Sequence, residues 1–424
     1  MRAWAQHMDC IKANLRALNP WSPGSAARRL SVGMALVLIT PVALIARLAG
    51  VRFLGVGLED RIGHLVAEPY YAACLRMTAP RAYRLLILTY DPKAVAYVPF
   101  LKALPSYFKW IRNRPLRNLA RPLQRHPLSN IDMNTGVRTA TGEAEIFDLL
   151  ARRSRPKSFL SFSEEGIGSA SDMLKRLGIS ERNWYVILHN REGGTFAGRD
   201  VMHEYRNGSI DDFYSVIDRI LIQGGAVVRI GDPSMTPLAP HDGVADCTRQ
   251  PDLLARYQLH LFRHASLFIG STSGPIMLAG VEGIPIAAVN LAPMGASLVF
   301  DDLAVCVPKI YVDRSTGFEI PFTEIFGSSL ADMRDSQSLD NAGVWLKDSD
   351  ADVIVGAVEE ALGLSPYAQL TDWDHSAQRV FRSLFREGNY SHFSPSRIST
   401  AFLRKYSHLL DTPGTDSVVE VEEW

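Results

Sequence analysis

The sequence predicts an α/β protein of two domains, the second of them built on a mostly parallel sheet. The chain has 424 residues, which is more than one hydrophobic core usually serves. Short apolar runs in its second half alternate with segments whose apolar residues recur at helical spacing. Such alternation is typical of parallel strands joined by helices that cover both faces of the sheet. The apolar fraction of 47% and the charged fraction of 21% are those of an ordinary globular protein.

The overall charge gives no reason to expect a nucleic-acid partner. Lysine and arginine together number 45, as do aspartate and glutamate, so any basic surface must be local. The four cysteines are scattered, without the spacing of metal ligands or of a dense disulfide framework. A reducing compartment therefore fits the sequence best.

Residues 1–53 are interpreted as a basic and apolar membrane-association segment. Five basic residues and two tryptophans lie before residue 30, and Leu30 to Ala46 then contains no charge. A membrane-spanning helix needs about 20 apolar residues, and Pro41 interrupts this run, so a short or bent embedded helix is the preferred interpretation. A signal peptide and a wholly buried core helix are the alternatives.

Residues 54–165 predict a first α/β domain. The loop Arg61–Leu65 leads into an apolar helical stretch at 67–77, and residues 84–89 have the composition of a parallel strand. His64 stands beside a glycine in that loop, where it could act as a base or contact a phosphate. A purely structural or exposed histidine is the alternative.

Residues 102–125 form the local basic surface of the chain. Seven lysines and arginines occur there, with three aromatic residues interleaved at 107, 108 and 110. This mixture suits the headgroup boundary of an anionic membrane. Contact with RNA and a simple solvated face are the alternatives.

Residues 180–365 show the pattern of the second domain more clearly. The predicted strands are 184–189, 226–230, 267–269 and 286–289. The predicted helices are 210–221, 253–262 and 276–281. Ligands of such sheets bind at the carboxyl ends of the strands, and polar residues follow each of these four strands.

Those polar residues predict a site for a dianionic diphosphate. Arginines occur at 191, 206 and 229, and the planar guanidinium group can donate to two phosphate oxygens. The turn Gly270–Gly274 carries three hydroxyls ahead of a helix start, where free backbone N–H groups attract anions. Each arginine could instead form a surface salt bridge, and the hydroxyls could only cap the helix. The predicted site consists of Arg191, Arg206, Asn207, Arg229, Gly231, Gly270, Ser271, Thr272, Ser273, Gly274 and Asn290.

Four ordered motifs of the second half, with Arg61–Leu65 upstream, resemble a family of bacterial GT-B glycosyltransferases associated with surface polysaccharides. The motifs are Asn190-Arg191-Glu192, Tyr205–Ile210, Val227–Asp232 and Phe268–Gly274. The second half is also distantly similar to O-fucosyltransferase-like enzymes, in which an arginine after a strand meets the donor diphosphate. One departure concerns Glu192, because an aspartate is expected after the arginine at that point.

The resemblance covers residues 55–365 and implies two Rossmann-like domains that face a cleft. Residues 54–165 would take the acceptor, and residues 180–365 would take the nucleotide sugar. Residues 366–424 would form C-terminal helices and an acidic tail, and in GT-B proteins a C-terminal helix commonly crosses back onto the first domain.

The predicted function is transfer of a sugar from a nucleotide-sugar donor to a lipid-linked or polysaccharide acceptor. The strand-end site would hold the donor, and His64, Glu192 or Asp232 could deprotonate the acceptor hydroxyl. No metal or cofactor is expected, because the sequence contains no metal-binding or dinucleotide motif. The enzyme would work on the cytoplasmic side of the inner membrane, since nucleotide sugars are made in the cytosol. A nucleotide-sugar epimerase or hydrolase, and a non-catalytic sugar-nucleotide-binding protein, remain as alternatives.

Overall fold

A computed structural model describes most of the chain and divides it into two compact units, residues 1–162 and 163–424. The described residues are 25–55, 58–131, 142, 144, 159–161, 170–179, 184–193, 201–364 and 369–410. The basic residues before 25 and the acidic tail after 410 therefore lie outside the described residues.

The first unit contains a three-stranded parallel sheet with strand order β1-β2-β3. Its elements are α1 (Ser25–Leu48), β1 (Val51–Leu54), α2 (Ile62–Thr78), β2 (Leu85–Leu88), α3 (Val98–Ala103), β3 (Phe108–Trp110) and α4 (Arg114–Arg125). The helix predicted at 67–77 and the strand predicted at 84–89 are both present. The Asn113 side chain accepts a hydrogen bond from the Leu116 N–H at 3.2 Å and so caps α4.

Helix α1 packs against β1 and α4, and it connects directly to the sheet. Because β1 begins at Val51 and pairs with β2, the sheet of the first domain starts before residue 54, where the sequence placed the boundary. The sequence pattern did not reveal this strand because only two residues separate it from the end of α1. Within the described residues, no helix is both long enough and apolar enough to cross a membrane.

The second unit is built on a seven-stranded sheet with strand order β12-β9-β8-β7-β4-β5-β6, in which all pairs are parallel. The strands are β4 (Trp184–His189), β5 (Gly225–Arg229), β6 (Val244–Asp246), β7 (Leu267–Gly270), β8 (Ile286–Leu291), β9 (Ala304–Pro308) and β12 (Arg397–Ile398). The predicted parallel sheet is confirmed, and its four predicted strands are its central ones. They are buried almost throughout, as expected for strands covered on both faces.

Helices connect these strands as the sequence predicted. The connecting helices are α6 (Tyr214–Ile222), α7 (Pro251–His264) and α8 (Ile276–Glu282), and a further helix, α5 (Ala170–Arg176), precedes β4. Gly283 ends α8 in the left-handed conformation, with φ of 69°, which a glycine adopts without a steric penalty. The predicted helix over 210–221 is a short 3₁₀ turn, Ile210–Phe213, followed by α6.

The remaining elements follow β9 along the chain. They are β10 (Ile310–Asp313), α9 (Phe322–Gly327), α10 (Ser336–Asn341), β11 (Val344–Lys347), α11 (Ala351–Ala361), α12 (Asp372–Ser383) and α13 (Thr400–Lys405). Strands β10 and β11 form a separate antiparallel pair. Strand β12 pairs with β9, and α13 packs against α11 and α12. The described part of the C-terminal tail thus completes the second unit.

Candidate functional site

The chain direction across the large sheet reverses between β4 and β7. From β4 the chain proceeds to β5 and β6 on one side, then returns to β7, β8 and β9 on the other side. Such a switch point opens a crevice at the carboxyl ends of the two central strands, where ligands of open α/β sheets bind. The segments that follow these strands begin at Asn190 and Ser271, so two of the sequence-predicted motifs meet at this point.

The three hydroxyls after β7 connect neighbouring strand ends. The Ser271 hydroxyl accepts the Arg191 N–H at 2.8 Å, and the Thr272 hydroxyl accepts the Ala292 N–H at 3.3 Å. The N-cap residue of α8 is Pro275, and no side chain caps that helix. The hydroxyls therefore hold the loops after β4, β7 and β8 together, a role different from the helix cap considered in the sequence.

Ser273 contacts a buried histidine that the sequence argument did not single out. His189 Nδ1 lies 3.1 Å from the Ile230 carbonyl oxygen, and His189 Nε2 lies 2.9 Å from Ser273 Oγ. Because a carbonyl oxygen only accepts, Nδ1 carries the proton and Nε2 accepts the serine hydroxyl. Burial, aided by the positive charges of Arg229 and Arg191, lowers the pKa of His189 to about 4. The imidazole is therefore neutral near pH 7.

Arg229 is fully buried and its guanidinium group faces protein groups. It donates to Glu192 Oε1 at 2.7 Å and lies 3.3 Å from Asp246 Oδ2, and it also donates to the Thr236 carbonyl. Glu192 accepts the Thr236 N–H with its other oxygen at 2.8 Å. From the sequence, Arg229 was predicted to contact a diphosphate and Glu192 was predicted as a possible base. In this structure both belong to one ion-pair network, in which Arg229 is fully buried and the carboxylates of Glu192 and Asp246 are partly exposed.

The two other predicted arginines are less enclosed. Arg191 and Arg206 are both half-buried, and the Arg206 guanidinium carbon lies 5.8 Å from the centre of the Tyr205 ring. Asp232 is half-buried and its carboxylate accepts the Ser234 N–H at 2.9 Å. Arg191 is the predicted cation that stands directly at the switch point, because its own N–H binds the loop after β7.

The predicted glycines differ in how closely other groups approach them. A Cβ atom on Gly270 would lie 2.6 Å from the Phe268 ring and 2.9 Å from the His189 carbonyl oxygen, so β4 and β7 approach each other too closely for any side chain there. A Cβ on Gly231 would lie 2.4 Å from Met235 Sδ, the end of a flexible side chain. Gly274 is half-buried, and its carbonyl accepts the Met277 N–H at 3.1 Å.

A second polar cluster lies at the same edge, around Gly208. The buried Asn190 donates to the Gly208 carbonyl at 2.7 Å, and the buried Asn290 accepts the Ser349 N–H at 2.8 Å. Lys309 Nζ donates to the Asn207 carbonyl at 2.6 Å and pairs with Asp348 at 2.6 Å. These bonds place the predicted residues Asn207 and Asn290 beside the motif after β4.

Asp212 and Asp348 extend this cluster toward solvent. Burial and the neighbouring Asp348 carboxylate raise the pKa of Asp212 to about 6. Asp212 was not among the residues predicted for the site. Its proximity to Asp348 depends on chain segments more than a hundred residues apart, which no local pattern indicates.

In the first unit, His64 lies in the first turn of α2, beside a buried carboxylate that binds a tyrosine hydroxyl. His64 Nδ1 lies 3.4 Å from Glu68 Oε1, one helical turn along. The Tyr90 hydroxyl donates to the other oxygen of Glu68 at 3.2 Å. Glu68 and Tyr90 are buried, whereas 37% of the His64 side chain is exposed. Burial and the Glu68 carboxylate raise the pKa of Tyr90 well above its usual value, so this phenol stays protonated and donates.

The arrangement in the first unit is that of an imidazole 3.4 Å from a buried carboxylate on the same helix face. His64 was predicted from the sequence, whereas Glu68 and Tyr90 were not. The i, i+4 spacing of His64 and Glu68 was a usable signal, since such residues share a helix face. Nothing local indicated Tyr90. Among the residues that the structure describes, no group of three or more His, Cys, Asp or Glu side chains could hold a metal ion.

Among known proteins, only solved structures resemble this chain. No protein-family model matches the chain, and no curated protein matches its sequence. A glycosyl transferase family 9 protein from Veillonella parvula DSM 2008 is 14% identical with a TM-score of 0.47, covering 74% of this chain and 96% of its own. The Escherichia coli ADP-heptose LPS heptosyltransferase II is 12% identical with a TM-score of 0.37, covering 56% and 84%.

A third likeness is to the dodecameric iron-containing heptosyltransferase TibC, from enterotoxigenic Escherichia coli, in complex with ADP-D-beta-D-heptose. It is 16% identical with a TM-score of 0.31, covering 56% of this chain and 57% of its own. Identities and TM-scores at this level do not assign the chain to a family.

Proposed function

We propose that this chain is a glycosyltransferase that moves a sugar from a nucleotide-sugar donor to a lipid-linked or polysaccharide acceptor. The observation that carries the proposal is the crevice at the switch point between β4 and β7. There the Arg191 N–H binds Ser271 and the neutral His189 accepts the Ser273 hydroxyl. A preorganised cationic and polar crevice at this place in a parallel sheet suits the diphosphate of a nucleotide.

Arg191 is the residue proposed to contact the donor diphosphate directly. Negative charge grows on the leaving nucleoside diphosphate as the bond to the sugar breaks, so a fixed cation there stabilises the transition state more than the ground state. Arg229 has a positioning role in this proposal. By binding Glu192 it holds the residue next to Arg191, and its full burial keeps that arrangement rigid.

His64 is proposed as the base that takes the proton of the acceptor hydroxyl. Glu68 would hold the imidazole through Nδ1 and leave Nε2 for the acceptor. Both oxygens of Glu192 accept hydrogen bonds from the protein, and Asp232 accepts the Ser234 N–H and hydroxyl. These two carboxylates are thus less available than His64.

The proposal includes the GT-B architecture, with the first unit as the acceptor domain and the second as the donor domain. It also places the enzyme in surface glycan biosynthesis at the cytoplasmic face of the inner membrane. This location follows from the donor, because nucleotide sugars are made in the cytosol.

The test begins with a thermal-shift screen of the purified chain against nucleotide sugars of different base and sugar, including ADP-heptose. A ligand that binds the native state raises its melting temperature. The positive donor is then incubated with and without a membrane extract, and the products are identified by mass spectrometry. Arg191→Ala is the site variant, and Arg379→Ala is the control, because Arg379 is exposed on α12.

Glycosyl transfer predicts that the sugar appears on an extract component and that Arg191→Ala abolishes the melting shift while Arg379→Ala keeps it. Release of free sugar without the extract would identify a hydrolase, and conversion of the donor to its epimer would identify an epimerase. Binding without any turnover would identify a non-catalytic nucleotide-sugar-binding protein. Each of these three outcomes overturns the proposed transfer.

A further inference from the structure

Among the side chains of helix α1 that the structure describes, more large apolar ones are exposed than buried. It packs on the first unit through a narrow stripe that includes the buried Leu36 and Ala43. On its outer side Val37, Leu38, Ile45 and Leu48 are between 66% and 78% exposed. A surface helix of a globular protein ordinarily shows the reverse pattern, with polar residues outward. Contiguous apolar surface of this kind marks a site of contact with another apolar phase.

Helix α4 adjoins α1 and adds cations to this surface. The two helices pack together, and Thr40 Oγ1 lies 3.2 Å from Nε2 of His126, the residue that follows α4. Leu116 and Leu119 are exposed on α4. The exposed basic residues are Arg114, Arg121 and Arg125, together with Arg47 at the end of α1.

Charge distinguishes this surface from the rest of the chain. Neither helix sequence contains an aspartate or a glutamate. Unlike the other arginines of α4, Arg117 is buried, and it pairs with Asp91 at 2.9 Å. Apolar side chains flanked by unneutralised arginines match the boundary between acyl chains and anionic headgroups. A second copy of this chain would bring one acid-free surface against another and leave the arginines without counter-charges.

We infer that α1 and α4 together form a membrane-binding surface that lies on an anionic phospholipid bilayer. The apolar side chains of α1, with Leu116 and Leu119, would enter the acyl boundary, and the arginines would contact lipid phosphates. This inference rests on the first unit alone and goes beyond the proposed transfer. It adds the means by which the chain would reach a lipid-linked acceptor.

The experiment is sedimentation of the full chain with vesicles of two compositions. One set is phosphatidylcholine alone, and the other is phosphatidylcholine mixed with phosphatidylglycerol. Leu38→Gln/Ile45→Gln removes two outward apolar side chains, and Arg121→Gln/Arg125→Gln removes two cations. Ile222→Gln is the matched control, because Ile222 is 76% exposed on α6 of the other unit. The melting temperature of each variant is measured to show that it folds.

The unchanged chain should bind the phosphatidylglycerol vesicles, more weakly as salt is raised. Leu38→Gln/Ile45→Gln should weaken this binding by about tenfold or more. Arg121→Gln/Arg125→Gln should lose the preference for phosphatidylglycerol, and Ile222→Gln should bind as the unchanged chain does. Equal binding by all folded variants, or no binding even at low salt, would overturn the inference. So would a solution dimer that Leu38→Gln/Ile45→Gln dissociates. Nucleotide binding is measured on the same variants. A variant that loses vesicle binding but keeps nucleotide binding tests the membrane surface separately from the proposed sugar transfer.

Discussion

His189 Nε2 accepts the hydroxyl of Ser273 at 2.9 Å, which joins the end of β4 to the loop after β7. The same imidazole donates from Nδ1 to the Ile230 carbonyl after β5. One buried side chain thus links three neighbouring strand ends at the switch point. Since its charged form is disfavoured by burial, the link should be sensitive to acid.

The pH dependence of stability should carry a contribution from His189. Its pKa is lowered from 6.5 to about 4 in the folded chain, so below pH 6.5 the unfolded chain binds more protons. As the pH falls from 6.5 to 4, the free energy of unfolding should therefore decrease by about 3 kcal/mol on account of His189. Above pH 6.5 the contribution of this histidine to the free energy of unfolding is fully present. His189→Gln should lack this slope in urea unfolding measured across the pH range.

Asp212 acts in the opposite direction, because its pKa is raised to about 6 and it stabilises the folded chain as pH falls through that value. Asp212 is present both in the unchanged chain and in His189→Gln. Its effect on the free energy of unfolding therefore cancels when the two are compared at the same pH. Identical slopes for the unchanged chain and His189→Gln would contradict the assignment.

Arg229 and Arg191 should respond differently to substitution. Arg229→Met leaves the Glu192 and Asp246 carboxylates without their buried cation, which should cost roughly 3–5 kcal/mol of unfolding free energy. Arg191→Ala should change stability by about 0.5 kcal/mol or less but weaken nucleoside-diphosphate binding by about 1.5–3 kcal/mol. Urea unfolding and titration calorimetry on both variants give the comparison. An Arg229→Met variant of normal stability that no longer binds nucleotide would restore the direct contact predicted from the sequence.

Ser271→Ala should reduce both stability and nucleotide affinity. The hydroxyl is fully buried and accepts the Arg191 N–H, so its removal leaves that donor unpaired at a cost of about 1–3 kcal/mol. Affinity falls because the loop that carries Arg191 loses its anchor. Asn113→Ala is the control, because it removes a helix cap in the first unit and should lower stability by about 1 kcal/mol without a change in affinity. If Ser271→Ala behaves like this control, the hydroxyl has no part in the site.

Glu68→Gln should lower kcat by about 10- to 100-fold with little change in KM, because it disturbs the orientation of His64 and not the donor site. The double variant His64→Ala/Glu68→Gln should be no slower than His64→Ala, since Glu68 acts through the imidazole. Glu282→Gln supplies the control, as it neutralises another buried carboxylate, one paired with Arg263. Additive losses in the double variant would show that Glu68 has a separate role.

Local patterns in the sequence predicted most of the second unit. Apolar runs such as 184–189 and 267–269 became parallel strands, and polar residues after them met at one edge of the sheet. These features depend on residue type and spacing within a few positions, which the chain itself displays. The sequence did not predict β1, because this strand has only four residues and closely follows an apolar helix.

By itself, the sequence determined the α/β class, the parallel order of elements and the edge at which a ligand site could form. Only the tertiary structure decided what each polar side chain does there. Arg229 pairs with Glu192 across 37 residues, and His189 meets Ser273 across 84. Partners so distant leave no local periodicity. The ion pair of Arg229 also depends on burial, which is a property of the packed fold. The same holds for α1, whose apolar sequence was evident but whose outward face appeared only once its packing on β1 and α4 was known.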